Sequence, residues 1–278
     1  MNNLVQRSLT AVVIVAVMLI CLLVNQYTFA ILFLVIMLGM LQEFFTITES
    51  TGFTPHRWII SMVSACIFTV SFLVASGVVS PICFFLIFPI LLITFVHELF
   101  ANKQYPLQNI AFGLIAIVYI TIPISLTNYI VFSNPLKPLS VLTNQYTPKL
   151  FIIMMIIIWV YDSCAYLFGV KFGKRRLFER ISPKKSWEGA IGGMISATIV
   201  AAVISFYSEI SLLHWIIIGV CIVMSATLGD LTESLIKRQF GIKDSGTIFP
   251  GHGGLLDRFD SILFAIPVYV CLLELLNL

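Results

Sequence analysis

The chain has 278 residues, with 16 Lys and Arg against 13 Asp and Glu, 59% hydrophobic residues and a mean hydropathy of +1.04. Only 10% of residues are charged, against roughly 25% in soluble domains. This excludes a disordered chain, a nucleic-acid-binding arm and a secreted disulfide scaffold. It also excludes a single soluble core, whose surface so few charges could not cover. What remains is an all-α, polytopic integral membrane protein.

A helix needs about 20 apolar residues to cross about 30 Å of hydrocarbon. Nine runs meet that pattern: 9–24, 27–45, 58–76, 79–96, 110–132, 150–169, 189–207, 211–229 and 255–276. About nine transmembrane helices are therefore predicted. Only Asn25 and Gln26 part the first two, which could form a tight hairpin. Residues 1–148 hold about five spans with short connections. In that half Glu43, Glu49, His97 and Glu98 read as solvated charges at span ends. Residues 149–278 hold the rest, with two long polar connections at 170–188 and 230–254. The six cysteines all lie in apolar runs without a Cys-x-x-Cys pair, so no zinc or disulfide framework is predicted.

Basic residues favour the cytoplasmic side of a membrane. With the N-terminus inside, only Lys137 and Lys149 fall outside, and every other Lys and Arg lies on the inner side or at its edge. The predicted orientation puts the N-terminus and both long loops in the cytoplasm.

Ionisable groups in a bilayer cost about 2.5–3.5 kcal/mol each on insertion scales and mark polar cavities. Asp162 lies near the inner end of the sixth run, Asp230 closes the eighth, and Asp257 and Asp260 open the ninth. All four converge on one face. Asp257 and Asp260 share a helical face, as do Asp230, Glu233 and Lys237. Magnesium is commonly held by one or two carboxylates plus substrate phosphates.

The stretch Pro250-Gly-His252-Gly253-Gly254 lets backbone approach a ligand closely and turn N–H groups toward anions. Lys237, Arg238 and Lys243 precede it, and Asp257, Arg258 and Asp260 follow. Cations for phosphate beside carboxylates for metal suit phosphoryl chemistry. In the other loop, Gly169-Val-Lys-Phe-Gly-Lys-Arg is not a P-loop. It has one residue too few between the glycines and Arg175 in place of Ser or Thr. Ser182-Pro-Lys184-Lys185-Ser186-Trp-Glu-Gly189 suits polyphosphate contact better, although basic residues here also anchor the loop to anionic lipid.

These blocks resemble phosphatidate cytidylyltransferases, also called CDP-diacylglycerol synthases. The carrying residues are Ser234-Leu-Ile-Lys237-Arg238, Lys243-Asp244-Ser-Gly246 and Pro250-Gly-His252-Gly253-Gly254-Leu-Leu-Asp257-Arg258-Phe-Asp260. Asp162-Ser-Cys-Ala-Tyr166, Ser182 to Gly189 and Gly229-Asp230-Leu-Thr-Glu233-Ser234 support them. The resemblance covers roughly residues 160 to 261. It implies reaction of CTP with phosphatidic acid to give CDP-diacylglycerol and pyrophosphate, with Mg2+ and room for a second cation. It is compatible with a homodimer. On this reading Asp230 and Asp257 are the first metal ligands, with Asp260 and Glu233 supporting them or holding an additional cation. Lys237, Arg238, Arg258 and His252 hold phosphates, and Lys243, Asp244, Gly253 and Gly254 also belong to the substrate-binding set. Ser182, Lys184, Lys185 and Ser186 close over the nucleotide or the leaving pyrophosphate, and Asp162 belongs to the cavity wall. Two other readings stay open: a CTP-dependent polyprenol or phytol kinase, in which the lipid attacks the γ-phosphorus, and an ion-coupled transporter.

Overall fold

The computed structural model describes residues 3–132, 145–208, 210–246 and 253–276, with side chains from Val12 onward. The described chain is helical apart from one two-stranded hairpin. It forms two compact units. One contains the helices up to residue 132 and the segment Phe240–Phe259; the other contains Thr147–Gln239 and the chain from Asp260 onward.

In the first unit the helices are α1 (Asn3–Val24), α2 (Gln26–Glu49), α3 (Arg57–Ala75), α4 (Ile87–Ala101), α5 (Pro106–Ala116) and α6 (Ile122–Val131). Asn25 alone separates α1 from α2. Its Oδ1 accepts from the N–H groups of Tyr27 and Thr28 at 2.8 and 2.9 Å, and Thr28 Oγ1 accepts from Asn25 N–H. This reciprocal cap starts α2 without a longer loop. The helix then buries Phe29, Phe33, Met37, Met40, Leu41, Phe44 and Phe45. A 3-10 turn, Pro81–Leu86, leads into α4. The π-helical turn Ile117–Thr121 joins α5 to α6 just before Pro123. Proline has no N–H for the ladder and crowds the carbonyl four residues back, and a widened turn relieves both. Polar ties hold the π-helical turn and α6 to α3: Thr121 donates to Ser64 Oγ at 2.7 Å, and Ser71 donates to the Ser125 carbonyl at 2.7 Å.

Two acids expected to be solvated are buried here: Glu43 is 6% exposed and Glu98 4%. Glu98 Oε1 accepts from Asn109 Nδ2 at 2.7 Å, and its Oε2 lies 2.8 Å from His56 Nε2. Lys103 Nζ sits 3.3 Å from His56 Nδ1. The ammonium can only donate, so Nδ1 is the acceptor, which leaves the ring proton on Nε2, the nitrogen beside Glu98. Burial, then Lys103 and His97, hold the His56 imidazole below its ordinary pKa, against the opposing pull of Glu98.

In the second unit α7 (Lys149–Phe172) leads through strands β1 (Arg176–Phe178) and β2 (Ser182–Ser186) into α8 (Trp187–Ser205). Next come α9 (Leu212–Gln239) and, from Asp260 on, most of α10 (Leu256–Leu275). α8 buries Gly189, Gly193, Ala197 and Ala201, a stripe of period four. A Cβ on Gly193 would stand 2.8 Å from the Tyr161 carbonyl oxygen, and one on Gly189 2.6 Å from that of Ala165. α7 and α8 thus meet backbone to backbone, the close approach that small residues permit between membrane helices. Gly219 of α9 faces Ala201 in the same way.

Among the described residues, seven helical segments are long and apolar enough to cross a membrane: α2, α3, Pro81–Ala101, Pro106–Val131, α7, α8 and α9. The count of nine is not confirmed. The described apolar part of α1 is Val12–Val24, and α10 carries Asp257, Arg258, Asp260 and Glu274. α9 also runs past Asp230 to Gln239, so the polar connection begins at Phe240 rather than at residue 230. Glu233 and Lys237 pair one turn apart, Lys237 and Arg238 lie in the last turn, and Gly241 follows at φ +68°. Basic residues at a C-terminus suit the helix dipole, and a left-handed glycine stops the helix.

Candidate active site

The hairpin is pinned at the start of α8. Ser186, 4% exposed, caps that helix by accepting from Gly189 N–H at 3.2 Å. Glu188 Oε2 accepts from the N–H groups of Lys174 and Arg175 at 3.0 and 3.2 Å, and Trp187 N–H donates to the Arg175 carbonyl at 3.0 Å. Gly173 leaves no room for a Cβ, which would meet Ser186 Oγ at 2.7 Å. The antiparallel strands then set Arg176 opposite Ser186 and Phe178 opposite Ser182, with an irregularity between.

These elements enclose a cavity of about 530 Å3. α7 gives it Tyr161, Asp162 and Tyr166; the hairpin gives Arg176, Lys184, Lys185 and Ser186; α9 gives Asp230. Lys185 Nζ pairs with Asp230 Oδ2, each side chain 29% exposed, and the Ser234 hydroxyl donates to Asp230 Oδ1 at 3.4 Å. Thr227 gives its proton to the Val223 carbonyl, so Tyr161 is the donor in its 2.5 Å bond to Thr227 Oγ1. That bond fixes α7 against α9. Gly229 lets α10 approach: a Cβ there would stand 2.5 Å from the Asp260 carbonyl oxygen. Asp260 consequently lies within electrostatic reach of Asp230, Lys185 and Asp162.

Of the residues expected from sequence, Asp162, Lys184, Lys185, Ser186 and Asp230 line this one cavity. Ser182 opens β2 and is half-buried outside the lining. Glu233, fully buried, pairs with Lys237 further along α9, and Arg238 is exposed. Arg176, not among the residues expected from sequence, lines the cavity as well. It stands on β1 opposite Ser186.

The glycine-rich segment belongs to the first unit. There Lys243, Asp244 and Arg258 are exposed, and His252 lies outside the described residues. Asp257 Oδ2 accepts from Ser245 N–H at 2.9 Å, Ser245 Oγ at 3.0 Å and Gly254 N–H at 2.8 Å. Gly253, at φ +80°, could not carry a Cβ without striking that same oxygen. Sequence reasoning missed Glu43 of α2. Its Oε1 accepts from Leu255 N–H at 2.8 Å, and its Oε2 from Leu256 N–H at 2.9 Å and Ser245 Oγ at 3.1 Å. No local pattern pairs it with a segment 202 residues away.

The sequence model of the cytidylyltransferase family matches residues 5–276. The chain belongs to this family. Among its relatives, a phosphatidate cytidylyltransferase of Staphylococcus aureus (strain COL) is 48% identical over 120 residues, 42% of this chain and 46% of its own. The one of Haemophilus influenzae is 45% identical over 126 residues, 43% of this chain and 44% of its own. The matched stretch thus spans under half the length of either relative.

Among the described residues no group of three or more His, Cys, Asp or Glu is arranged to hold a metal ion alone. Two carboxylates, Asp162 and Asp230, do line the cavity beside three cationic side chains. A family member using magnesium would need only one or two carboxylates, because substrate phosphates and water complete the octahedron. The donor set fits that cation.

Proposed function

We propose that this cytidylyltransferase-family protein moves the cytidylyl group of CTP to phosphatidic acid, giving CDP-diacylglycerol and pyrophosphate. The observation that carries the reading is the cavity in which Arg176, Lys184 and Lys185 stand beside Asp162 and Asp230. An anion-binding cluster next to acids that can share a cation is what a nucleoside triphosphate requires. Spans on a lipid-embedded chain place a membrane lipid within reach.

In this reading a phosphate oxygen of phosphatidate attacks the α-phosphorus of CTP. The new P–O bond forms as the bond to the β-phosphate breaks, and pyrophosphate leaves. A phosphomonoester is already largely ionised at neutral pH, so no general base is required. The chain's work is to position the two anions and offset their charge. Lys184, Lys185 and Arg176 meet the polyphosphate as cationic donors. Asp162 and Asp230 would hold magnesium, with Asp260 nearby; when bound, the ion neutralises developing phosphate charge. The basic loops support a cytoplasmic placement of the cavity.

The test is purified protein in detergent with CTP, phosphatidate and magnesium. Pyrophosphate release with label from the α-phosphate appearing in lipid supports the reading. Transfer of the γ-phosphate would replace it with a lipid kinase.

A further inference from the structure

We infer that Glu43, in the N-terminal half, is a positioning residue for this reaction; the inference rests on the cytidylyltransferase reading and on the role of the glycine-rich segment in it. Glu43 is buried, and its two carboxylate oxygens take the N–H groups of Leu255 and Leu256. Those are among the first donors of α10, which no turn of its own helix can satisfy. The same carboxylate takes the hydroxyl of Ser245, where the chain enters the glycine-rich segment.

The seat is shaped for it. A Cβ on Gly246 would lie 2.6 Å from Glu43 Oε1, and one on Gly254 would strike both Glu43 oxygens. Gly39, one turn earlier on α2, makes room for the Leu255 side chain: a Cβ there would lie 2.3 Å from it. Asp257 fastens the same two ends from the other side through Ser245 and Gly254. Ser245 has one hydroxyl proton for two carboxylates, Glu43 and Asp257, so the three residues form one shared clasp. Entry and exit of the segment are thereby tied to α2, and the start of α10 is fixed with them.

Glu43→Gln is the discriminating change. Glutamine keeps the shape but offers one accepting oxygen, so a buried backbone N–H would face an amide NH2. Three measurements are made on the full chain in detergent: hydrogen exchange at residues 253–256, and KM for CTP and for phosphatidate. The expected result is faster exchange at those amides and KM for CTP raised by roughly tenfold, a misplacement effect, with KM for phosphatidate unchanged. Partial unfolding would lower the amount of active enzyme and leave both KM values alone. Glu49→Gln, which removes the outer pair with Arg57, should match wild type. If Glu43→Gln does not fold, Ser245→Ala removes the shared donor and should move KM for CTP in the same direction by a smaller factor. An active variant with wild-type KM for CTP overturns the role of Glu43 alone. A wild-type protein that makes no CDP-diacylglycerol overturns the cytidylyltransferase reading, and this role with it.

Discussion

Lys185 offers the sharpest test of the cavity, because it has a structural partner and a proposed catalytic one. Its Nζ pairs with Asp230 Oδ2, both side chains 29% exposed. The bare attraction of such a pair is about 4 kcal/mol at an effective dielectric near 20. Net values run from about 0–1 kcal/mol for exposed pairs to about 3–5 kcal/mol when a buried pair is broken. At this exposure Lys185→Ala should cost about 1–2 kcal/mol of stability, between those limits. If Lys185 also meets the polyphosphate, the variant should lose at least about tenfold in rate at limiting CTP, about 1.4 kcal/mol in the barrier. Combining Asp230→Asn with Lys185→Ala separates the two. The stability losses should be strongly non-additive, since one contact is removed twice, while activity should not recover. Initial rates against CTP and phosphatidate, with thermal unfolding alongside, read both effects. Lys184, exposed on the same wall, has no such structural duty, so Lys184→Ala should affect CTP dependence without the stability loss. Wild-type CTP kinetics in both variants would return these lysines to lipid anchoring, worth about 1 kcal/mol each.

Gly193→Ala should lower the unfolding temperature, at about 1–3 kcal/mol of overpacking, because its Cβ would press on the Tyr161 backbone; an unchanged melt would refute the backbone-level seam. Single cysteines replacing Lys149, at the start of α7, and Glu179, in the hairpin turn beyond its other end, are placed in a background without the native six; the helix between them has 24 residues and is about 36 Å long. An impermeant thiol reagent should reach them from opposite sides of sealed vesicles, Glu179→Cys from the cytoplasmic one. Because His56 titrates below its usual range when folded, the unfolded chain binds the proton first. The stability it lends is complete above about pH 6.5, the unperturbed value, and is lost as pH falls through the folded value. His56→Gln should flatten that acid slope in a thermal melt series, and equal slopes would show another group is responsible. Asp257→Asn should abolish turnover while leaving exchange at Gly254 protected, because the amide oxygen can still accept where Oδ2 does; retained turnover would make Asp257 a brace and nothing more.

Much of the architecture is legible in hydrophobic run lengths, because a membrane span is set by one dimension. The end of α9 is not. The apolar run stops at Gly229, but the helix continues to Gln239, helped by the Glu233–Lys237 pair. An apolar boundary is a boundary of solvent, not of hydrogen bonding. The hairpin was hidden by the same confusion, since its basic residues look like any inner loop. Glu43 was illegible for a different reason. An acid at a span end is ordinarily solvated, and only the arrival of the α10 amide groups makes this one a cap.

The acids of the signature region share one chemistry, and their surroundings sort them. Asp257 presents Oδ2 to two backbone N–H groups and a hydroxyl, and Glu43 faces two backbone N–H groups and the same hydroxyl. Neutral donors of fixed geometry make good braces, but they compete with any ion for the same lone pairs. Glu233 is fully buried against Lys237, a pairing that a metal could enter only by breaking. Asp162 is exposed, and Asp230 is half-exposed on the wall of a solvent-reachable cavity beside Lys185. A lysine can move from a carboxylate to a phosphate at little cost, because its stem is flexible and its charge is a point. Magnesium keeps waters and takes substrate oxygens, so it requires carboxylates that solvent and phosphate can both reach. On that criterion the cavity pair is a stronger candidate for the ion than Asp257. Loss of turnover in Asp257→Asn would then report the charge placed beside the glycine-rich segment rather than a lost ligand. Asp230→Asn, by contrast, should raise the magnesium concentration needed for half-maximal rate.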